Sequence, residues 1–413
     1  MLFWTREEFQ TFRVDVDVLF GRELIGRGHE IDLVMESPDA SIAAGEYPWY
    51  GRKVFVGRPS GRGLWGRLTR HPRVFLHDLR MLLRPATRAY GALQFRDKFL
   101  IAAIGVLVAR RRRQKCFYWL SFPYPEDDLL RASTGQSRFP ALVRLRGRLT
   151  AWLLYRWILP RVDHAFVQSE RMREDIAAQG VPRDRMTPVP MGIDLADTPR
   201  LTRRAAPAPG EDWVLGYLGT LSADRHVVTL VDMLDQLRRA GEPVRLLMIG
   251  DAFEAADRRL IESRAAARGL TPWLQITGSL PRAEAIARMA AVDIALSPYY
   301  PSPLLQSTSP TKLVEYLALG VPVVASEHPE QRAILRASKA GLCTPWGARH
   351  FARGVRWLMR RGEAELAGMG DRGRAWVVNH RTYSGIADRL EREYRRLIVA
   401  DAPPVLRSLD PMG

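Results

Sequence analysis

The sequence has two cysteines, Cys116 and Cys343, each inside an apolar run. Two separated thiols cannot build a Cys-rich metal site; they read as buried thiols of a reducing compartment. Long hydrophobic stretches are missing as well. The longest uncharged apolar run, Phe99 to Ala109, has 11 residues, well short of the roughly 20 that cross a bilayer as a helix. Arg6, Glu7 and Glu8 interrupt the start of the chain before any apolar segment forms, so no signal peptide is expected. A soluble or surface-resting cytoplasmic protein is the resulting expectation.

Acid is scarce in one region. Residues 51–160 hold 23 Lys or Arg against 5 Asp or Glu, an excess of 18 where the whole chain carries +17. The block contains Arg110-Arg111-Arg112-Arg113 and is interleaved with Trp65, Trp119, Trp152 and Trp157. Such a surface is drawn to an anionic membrane, at about 1 kcal/mol per nearby basic residue; a solvated basic face is the plainer alternative. No zinc-finger, helix-turn-helix or RNP-like pattern is present to read bases, so nucleic acid is not expected as a partner.

At 413 residues the chain is too long for one typical core, and two domains are expected. The most informative stretch is Ser309-Pro310-Thr311-Lys312-Leu313-Val314-Glu315-Tyr316, followed by Leu317-Ala318-Leu319-Gly320-Val321-Pro322-Val323-Val324-Ala325. Ser309 suits an N-cap and Pro310 a first helical position, while Gly320 and Pro322 end the helix. Val321 to Ala325 and Asp293 to Ser297 read as buried strands. The unit is strand, polar loop, helix, strand, with its loop at the carboxyl end of a strand. A helix start offers free N–H groups and a positive dipole end to an anion. Lys312 in the first turn opposes that dipole unless an anion is held there. Glu315 lies on the same face, and an ordinary i, i+3 salt bridge with Lys312 is the alternative reading.

This stretch, together with Trp213-Val214-Leu215-Gly216-Tyr217-Leu218-Gly219-Thr220, resembles the retaining family-4 glycosyltransferases of the GT-B fold. The resemblance runs from about Gly26 to Val399 and is most specific over 213–325. It implies an α/β chain of two doubly wound, parallel-sheet Rossmann-like domains facing a cleft, with a C-terminal helix crossing back to the first. It implies the following organisation: 1–196, acceptor domain; 197–212, proline-rich linker; 213–380, nucleotide-sugar domain; 381–400, crossover helix; 401–413, tail. In the family's Glu-x7-Glu motif the second Glu binds the donor ribose and falls on Glu315. The first touches the donor sugar and falls on Ser307, a departure. Thr220 likewise stands where the family often has Arg after the glycine of the first strand's turn, and Arg225 is placed to supply the next cation.

The resemblance thus implies a donor site in which Arg225, Lys312 and Glu315 carry the chemistry. Gly219, Thr220, Asp251, Ser307, Ser309 and Thr311 bind the donor, with the N–H groups of Thr311 and Lys312 completing a phosphate cradle. Gly250-Asp251 and Gly278-Ser279 are expected to line the nucleotide. No metal and no cofactor are expected; the substrate is a UDP- or GDP-linked sugar. The implied partners are that donor and a glycan or lipid-linked acceptor of surface polysaccharide or glycolipid synthesis; the charge of residues 51–160 adds an anionic inner membrane face. A nucleotide-sugar epimerase of the same fold and a non-catalytic nucleotide-sugar-binding subunit are the competing readings.

Elsewhere the expectations are more local. Met1 to Trp4 starts a strand, and Thr5 to Thr11 replaces the family's Gly-rich turn. Arg13 to Gly26 reads as a helix, although Val14 to Val18 alternates like a strand. Asp15 and Asp17 lack the context of a metal motif, and His29 reads as structural. Leu93 to Ala109 reads as one helix, and Cys116 to Leu120 as a strand. Ser121 to Asp128 reads as a loop whose Glu126, Asp127 and Asp128 are candidates for the acceptor side or a general base, or else solvate the loop and cap the next helix. Leu142 to Leu159 is a basic amphipathic helix, suited either to lipid headgroups or to the core. From residue 213 onward short apolar runs alternate strictly with helical segments, the pattern of a parallel doubly wound sheet.

Overall fold

The computed structural model describes residues 1–10, 12–38, 41–58, 63–135, 137–198, 207–208 and 210–399, with 63–69 and 399 described by backbone alone. The expected tail 401–413, and 199–206 and 209 of the expected linker, lie outside the described residues. The chain divides into two units, Met1–Pro190 with Tyr383–Gly413, and Met191–Thr382. That division falls before the proline-rich stretch 197–212.

The first unit is built on an eight-stranded sheet of β1 (Leu2–Glu8), β2 (Asp32–Glu36), β3 (Gly45–Trp49), β4 (Arg52–Val56), β5 (Ala92–Arg96), β6 (Lys115–Leu120), β7 (His164–Val167) and β8 (Met186–Pro188). Their order is β3-β4-β2-β1-β5-β6-β7-β8. All neighbours run parallel except the β3–β4 hairpin. Strands covered by helices on both faces are apolar throughout rather than alternating. Accordingly Leu2, Phe3 and Trp4 are all fully buried, and Leu2 lies opposite Asp32 on one side and Leu93 on the other.

Several local expectations are corrected here. Leu93 to Ala109 is not one helix: β5 is followed by a helix over Phe99–Arg112, with Asp97 in the left-handed region at φ 55° between them. The break falls on the charged triplet Arg96-Asp97-Lys98, where the apolar pattern is interrupted before it resumes at Phe99. The helix expected over Arg13 to Gly26 is present despite the strand-like alternation at Val14 to Val18, as a π-helical segment, Asp15–Leu24, that buries Asp15, Val16, Val18, Leu19 and Phe20. Glu126, Asp127 and Asp128 belong to the helix Tyr124–Ser133, not to a loop. The helices Gly63–Leu83 and Glu363–His380 are additional elements.

The helix Tyr383–Val399 completes the first unit's core from the far end of the chain. Tyr383, Ile386, Leu390 and Tyr394 pack with Phe117 and Phe166. The Tyr394 hydroxyl reaches the buried Gln94 side chain at 2.5 Å.

The second unit has a six-stranded, wholly parallel sheet of β9 (Trp213–Leu218), β10 (Val244–Ile249), β11 (Leu274–Ile276), β12 (Ile294–Ser297), β13 (Val323–Ser326) and β14 (Gly341–Thr344). The order β11-β10-β9-β12-β13-β14 places the reversal of winding at β9 and β12. Loops at the carboxyl ends of the two strands flanking such a reversal diverge and leave a crevice, the usual ligand position in an open α/β sheet.

Candidate active site

The loop after β9 and the loop between β12 and the helix Thr311–Ala318 both open at that crevice. Gly219, the residue after β9, has φ 147°, and a Cβ there would lie 2.2 Å from Lys312 Cε. The next strand's Gly250, at φ 130°, would place a Cβ 2.4 Å from the Gly219 carbonyl oxygen. The Lys312 side chain therefore crosses bare backbone, and only glycine lets it pass. Its ammonium sits 5.7 Å from the centre of the Tyr217 ring.

Burial and the nearby Arg225 charge push the Lys312 ammonium down to about 7, with Glu315 pulling the other way. Burial also raises the Tyr217 phenol to about 12, opposed by Arg225, which is hydrogen-bonded to it. The Tyr217 hydroxyl donates to the Thr220 carbonyl at 3.1 Å, pinning the turn after β9. Arg225 ends a short 3-10 turn, Ala223–Arg225, in the same loop. Lys312 and Arg225 thus stand near each other as two cations that repel, an arrangement that costs free energy until an anion joins them.

The start of the Thr311–Ala318 helix differs from expectation in one respect. Pro310 occupies the cap position, and no side chain caps the helix. Ser309 instead accepts the Met191 N–H at 3.1 Å and donates to Glu330 at 3.2 Å, while Glu330 pairs with Arg381. The Thr311 N–H donates to the Ser309 carbonyl at 3.0 Å. The N–H groups of Lys312 and Leu313 have no acceptor among the described residues. The amides open to an anion are therefore those of Lys312 and Leu313, one position further along than expected.

Glu315 is mostly buried and pairs with Arg282 at 3.2 Å, not with Lys312. Burial raises its carboxyl, against Arg282 and Lys312. Arg282 also lies 3.6 Å from Asp197. Ser307 is buried at the end of a helical turn, Pro303–Gln306. Asp251 holds Arg258 at 3.1 Å and accepts from the Ala252 N–H, beside the Gly250–Gly278 bridge. The structure thus brings Gly219, Thr220, Arg225, Lys312 and Glu315 around one sheet edge. It commits the side chains of Ser309 and Asp251 to partners within the fold.

Three contributors escape sequence reasoning. His328 caps the helix Pro329–Ser338, its Nδ1 accepting from the Glu330 and Gln331 N–H groups. Its Nε2–H then donates to the Leu305 carbonyl at 3.0 Å, tying down the loop that leads to Lys312. Burial lowers this imidazole to about 4, so it stays neutral. A His directly before Pro329 was the available signal, since Pro suits the first turn and its predecessor the cap. The others, Arg282 and Tyr316, whose hydroxyl accepts the Leu218 N–H at 2.9 Å, come from helix positions that pattern alone assigns to surface and core.

In the first unit the charges at the carboxyl ends of β1 and β5 neutralise one another. Arg96 is buried, 2.7 Å from Asp15 and 3.6 Å from Glu7. Burial works against the charge on Asp15, but Arg96 and Arg13 outweigh it and hold the carboxyl low. Asp15 is thus an ion-pair partner, and His29 pairs with Glu391 at 3.0 Å. Glu126 accepts from the Tyr155 hydroxyl at 2.7 Å and Asp128 holds Arg146. These two carboxylates join helices rather than solvate a loop.

The family model described as Glycosyltransferase Family 4 matches residues 18–197, and that described as Glycosyl transferases group 1 matches residues 200–376. A 2-deoxystreptamine glucosyltransferase of Streptomyces kanamyceticus is 29% identical over 178 residues, 41% of this chain and 44% of that one. A GDP-mannose-dependent alpha-mannosyltransferase of Mycobacterium tuberculosis is 27% identical over 203 residues, 48% of each chain. The chain spans about half the length of these curated relatives. Among solved structures, a sucrose-phosphate synthase from Thermosynechococcus elongatus superposes with a TM-score of 0.71 at 17% identity, covering 97% of this chain and 99% of that one. The Anabaena protein HepE, solved in complex with UDP and glucose, gives 0.65 at 14% identity, covering 95% and 98%. At such identities these two likenesses establish the GT-B fold.

Proposed function

We propose that this chain, which belongs to the glycosyltransferases of the GT-B fold, moves a sugar from a nucleoside-diphosphate sugar to a glycan or lipid-linked acceptor. Retention of the anomeric configuration and independence of a metal ion are part of the proposal. The observation that carries it is the Lys312 ammonium laid over Gly219, with Arg225 beside it and two open amides at the same helix start.

The chemistry follows from charge. Breaking the bond between the anomeric carbon and the phosphate oxygen leaves its electron pair on the diphosphate. Lys312, Arg225 and the amides of Lys312 and Leu313 are fixed where that charge grows, the role a divalent ion would otherwise fill. Glu315, one turn deeper, is placed for ribose hydroxyls, and Arg282 keeps its carboxylate oriented. The acceptor hydroxyl then bonds to the anomeric carbon from the face that the diphosphate leaves, and its proton passes to the departing phosphate oxygen. HepE has also been solved with UDP-glucose, which supports a nucleotide sugar as the donor class for this fold.

A thermal-shift screen against UDP, GDP, ADP and their sugars identifies the donor, because a ligand that prefers the native form raises the melting temperature. With that donor, Lys312→Ala and Glu315→Ala each lower turnover by about 10²–10³, and chelator leaves the wild-type rate unchanged. Variants that turn over at the wild-type rate, or a rate abolished by chelation and restored by a divalent ion, overturn the proposal. Ser307 in place of a sugar-facing Glu favours a second reading, a nucleotide-sugar-binding subunit. That reading expects the donor to raise the melting temperature with no transfer by the purified single chain to any acceptor.

A further inference from the structure

The helix Pro140–Trp152 is turned inside out. Its contact with the helix Tyr124–Ser133 is made through Gly147, where a Cβ would already lie 3.1 Å from Asp128 and Leu129. On the opposite side Leu142, Leu145, Leu149 and Trp152 follow one another at the three- and four-residue spacing of a single helical stripe. With Phe139 at the helix start, each of these side chains is between 54% and 65% exposed. An apolar stripe normally faces a core, and a row of large side chains left in water marks a surface with a partner.

The charge around the stripe says which partner. From Arg138 to Arg161 there are six arginines and no acidic residue. Arg144 and Arg148 flank the stripe, exposed and without an ion pair among the described residues. A second copy of this chain would bring its own arginines against these. A bilayer with anionic headgroups accepts both features at once, taking the apolar side chains into its interface and the guanidinium groups at its phosphates.

The expectation spread over residues 51–160 also contracts. Trp119 is buried within β6, and Trp157 is partly buried, donating to the Ala103 carbonyl under the Arg161 guanidinium. Of the tryptophans with described side chains in that block, Trp152 alone points outward.

We propose that the face of helix 140–152 formed by Phe139, Leu142, Leu145, Leu149 and Trp152 inserts into an anionic membrane interface, with Arg144 and Arg148 on headgroup phosphates. The inference deepens the lipid-linked reading of the acceptor, yet it is tested without donor or acceptor, so its failure and the failure of the transfer proposal are separate results.

The test is sedimentation of the full chain with vesicles of phosphatidylcholine, with and without phosphatidylglycerol, at low and high salt. Binding is expected only with phosphatidylglycerol, and it weakens with salt. Leu145→Ser with Leu149→Ser lowers the partition coefficient by more than roughly tenfold, and Arg144→Gln with Arg148→Gln by about thirtyfold. Because all four side chains are exposed, the melting temperatures of both variants stay near that of the wild type. Absence of wild-type binding, equal binding by the serine variant, or a concentration-dependent dimer that the serine variant abolishes would each overturn the proposal.

Discussion

Lys312 is an amine held near neutrality by its surroundings. Its value of about 7 in the unliganded protein means that the charged form, which attracts a diphosphate, predominates only below that pH. Because kcat/KM reports groups of the free enzyme, kcat/KM for the donor should be level below about pH 7 and fall as the pH rises above it. Lys312→Arg should remove that fall, since guanidinium stays charged. Stability moves the other way. The unfolded chain, with its lysine near 10.5, binds the extra proton between about pH 7 and 10.5, so the unliganded fold gains stability as the pH rises through that window. Melting curves of the wild type and Lys312→Met across this range should converge towards the upper end.

Gly219 makes the same point by sterics. At φ 147°, with Lys312 Cε where a Cβ would be, Gly219→Ala strains the backbone and expels the ammonium together. Donor affinity should fall by at least about tenfold, measured by titration calorimetry. The second unit's melting temperature should fall as well.

Among the elements, the loop from β12 to helix 311–318 is held by contacts distant in sequence. His328 caps one helix and fastens the Leu305 carbonyl of that loop with its other nitrogen. His328→Ala should therefore cost about 1 kcal/mol of stability, the usual value of a lost cap. It should also raise the KM for the donor, because Lys312 then stands on a looser loop. Loss of stability with an unchanged KM would assign His328 to capping alone. The helix 140–152 is the opposite case, an element that uses glycine for its packed face and leaves its leucines outside.

At the scale of the whole molecule, the first unit is not closed by a continuous stretch of chain. Helix 383–399 buries Tyr383, Ile386, Leu390 and Tyr394 in its core, almost 200 residues after β8. Leu390→Ala should cost about 2–5 kcal/mol, the range for a truncated core leucine. Limited proteolysis should then cut first within residues 1–190. Each unit repeats one plan, a parallel sheet whose winding reverses beside its first strand, β1–β5 in one and β9–β12 in the other. In the first unit that edge is filled by Arg96 and Arg13 paired with Asp15 and Glu7; in the second, Lys312 and Arg225 stand as neighbouring cations.

From residue 213 onward, the chain order of short apolar runs and helical segments was enough to specify a parallel sheet. Such strands are buried on both faces, and their hydrophobicity is local information. The Lys312 and Glu315 positions were legible for the same reason, since a helix start carries its own residue signature. Three things were not local, and only the tertiary structure decided them. Ser309 left its cap role because Met191 and Glu330 came within reach, and Glu315 found Arg282 rather than Lys312. The leucines of helix 140–152 faced water because a glycine, not an apolar side chain, was what the neighbouring helix could approach closely. Each depends on distances between residues far apart in the chain, which no spacing along it records.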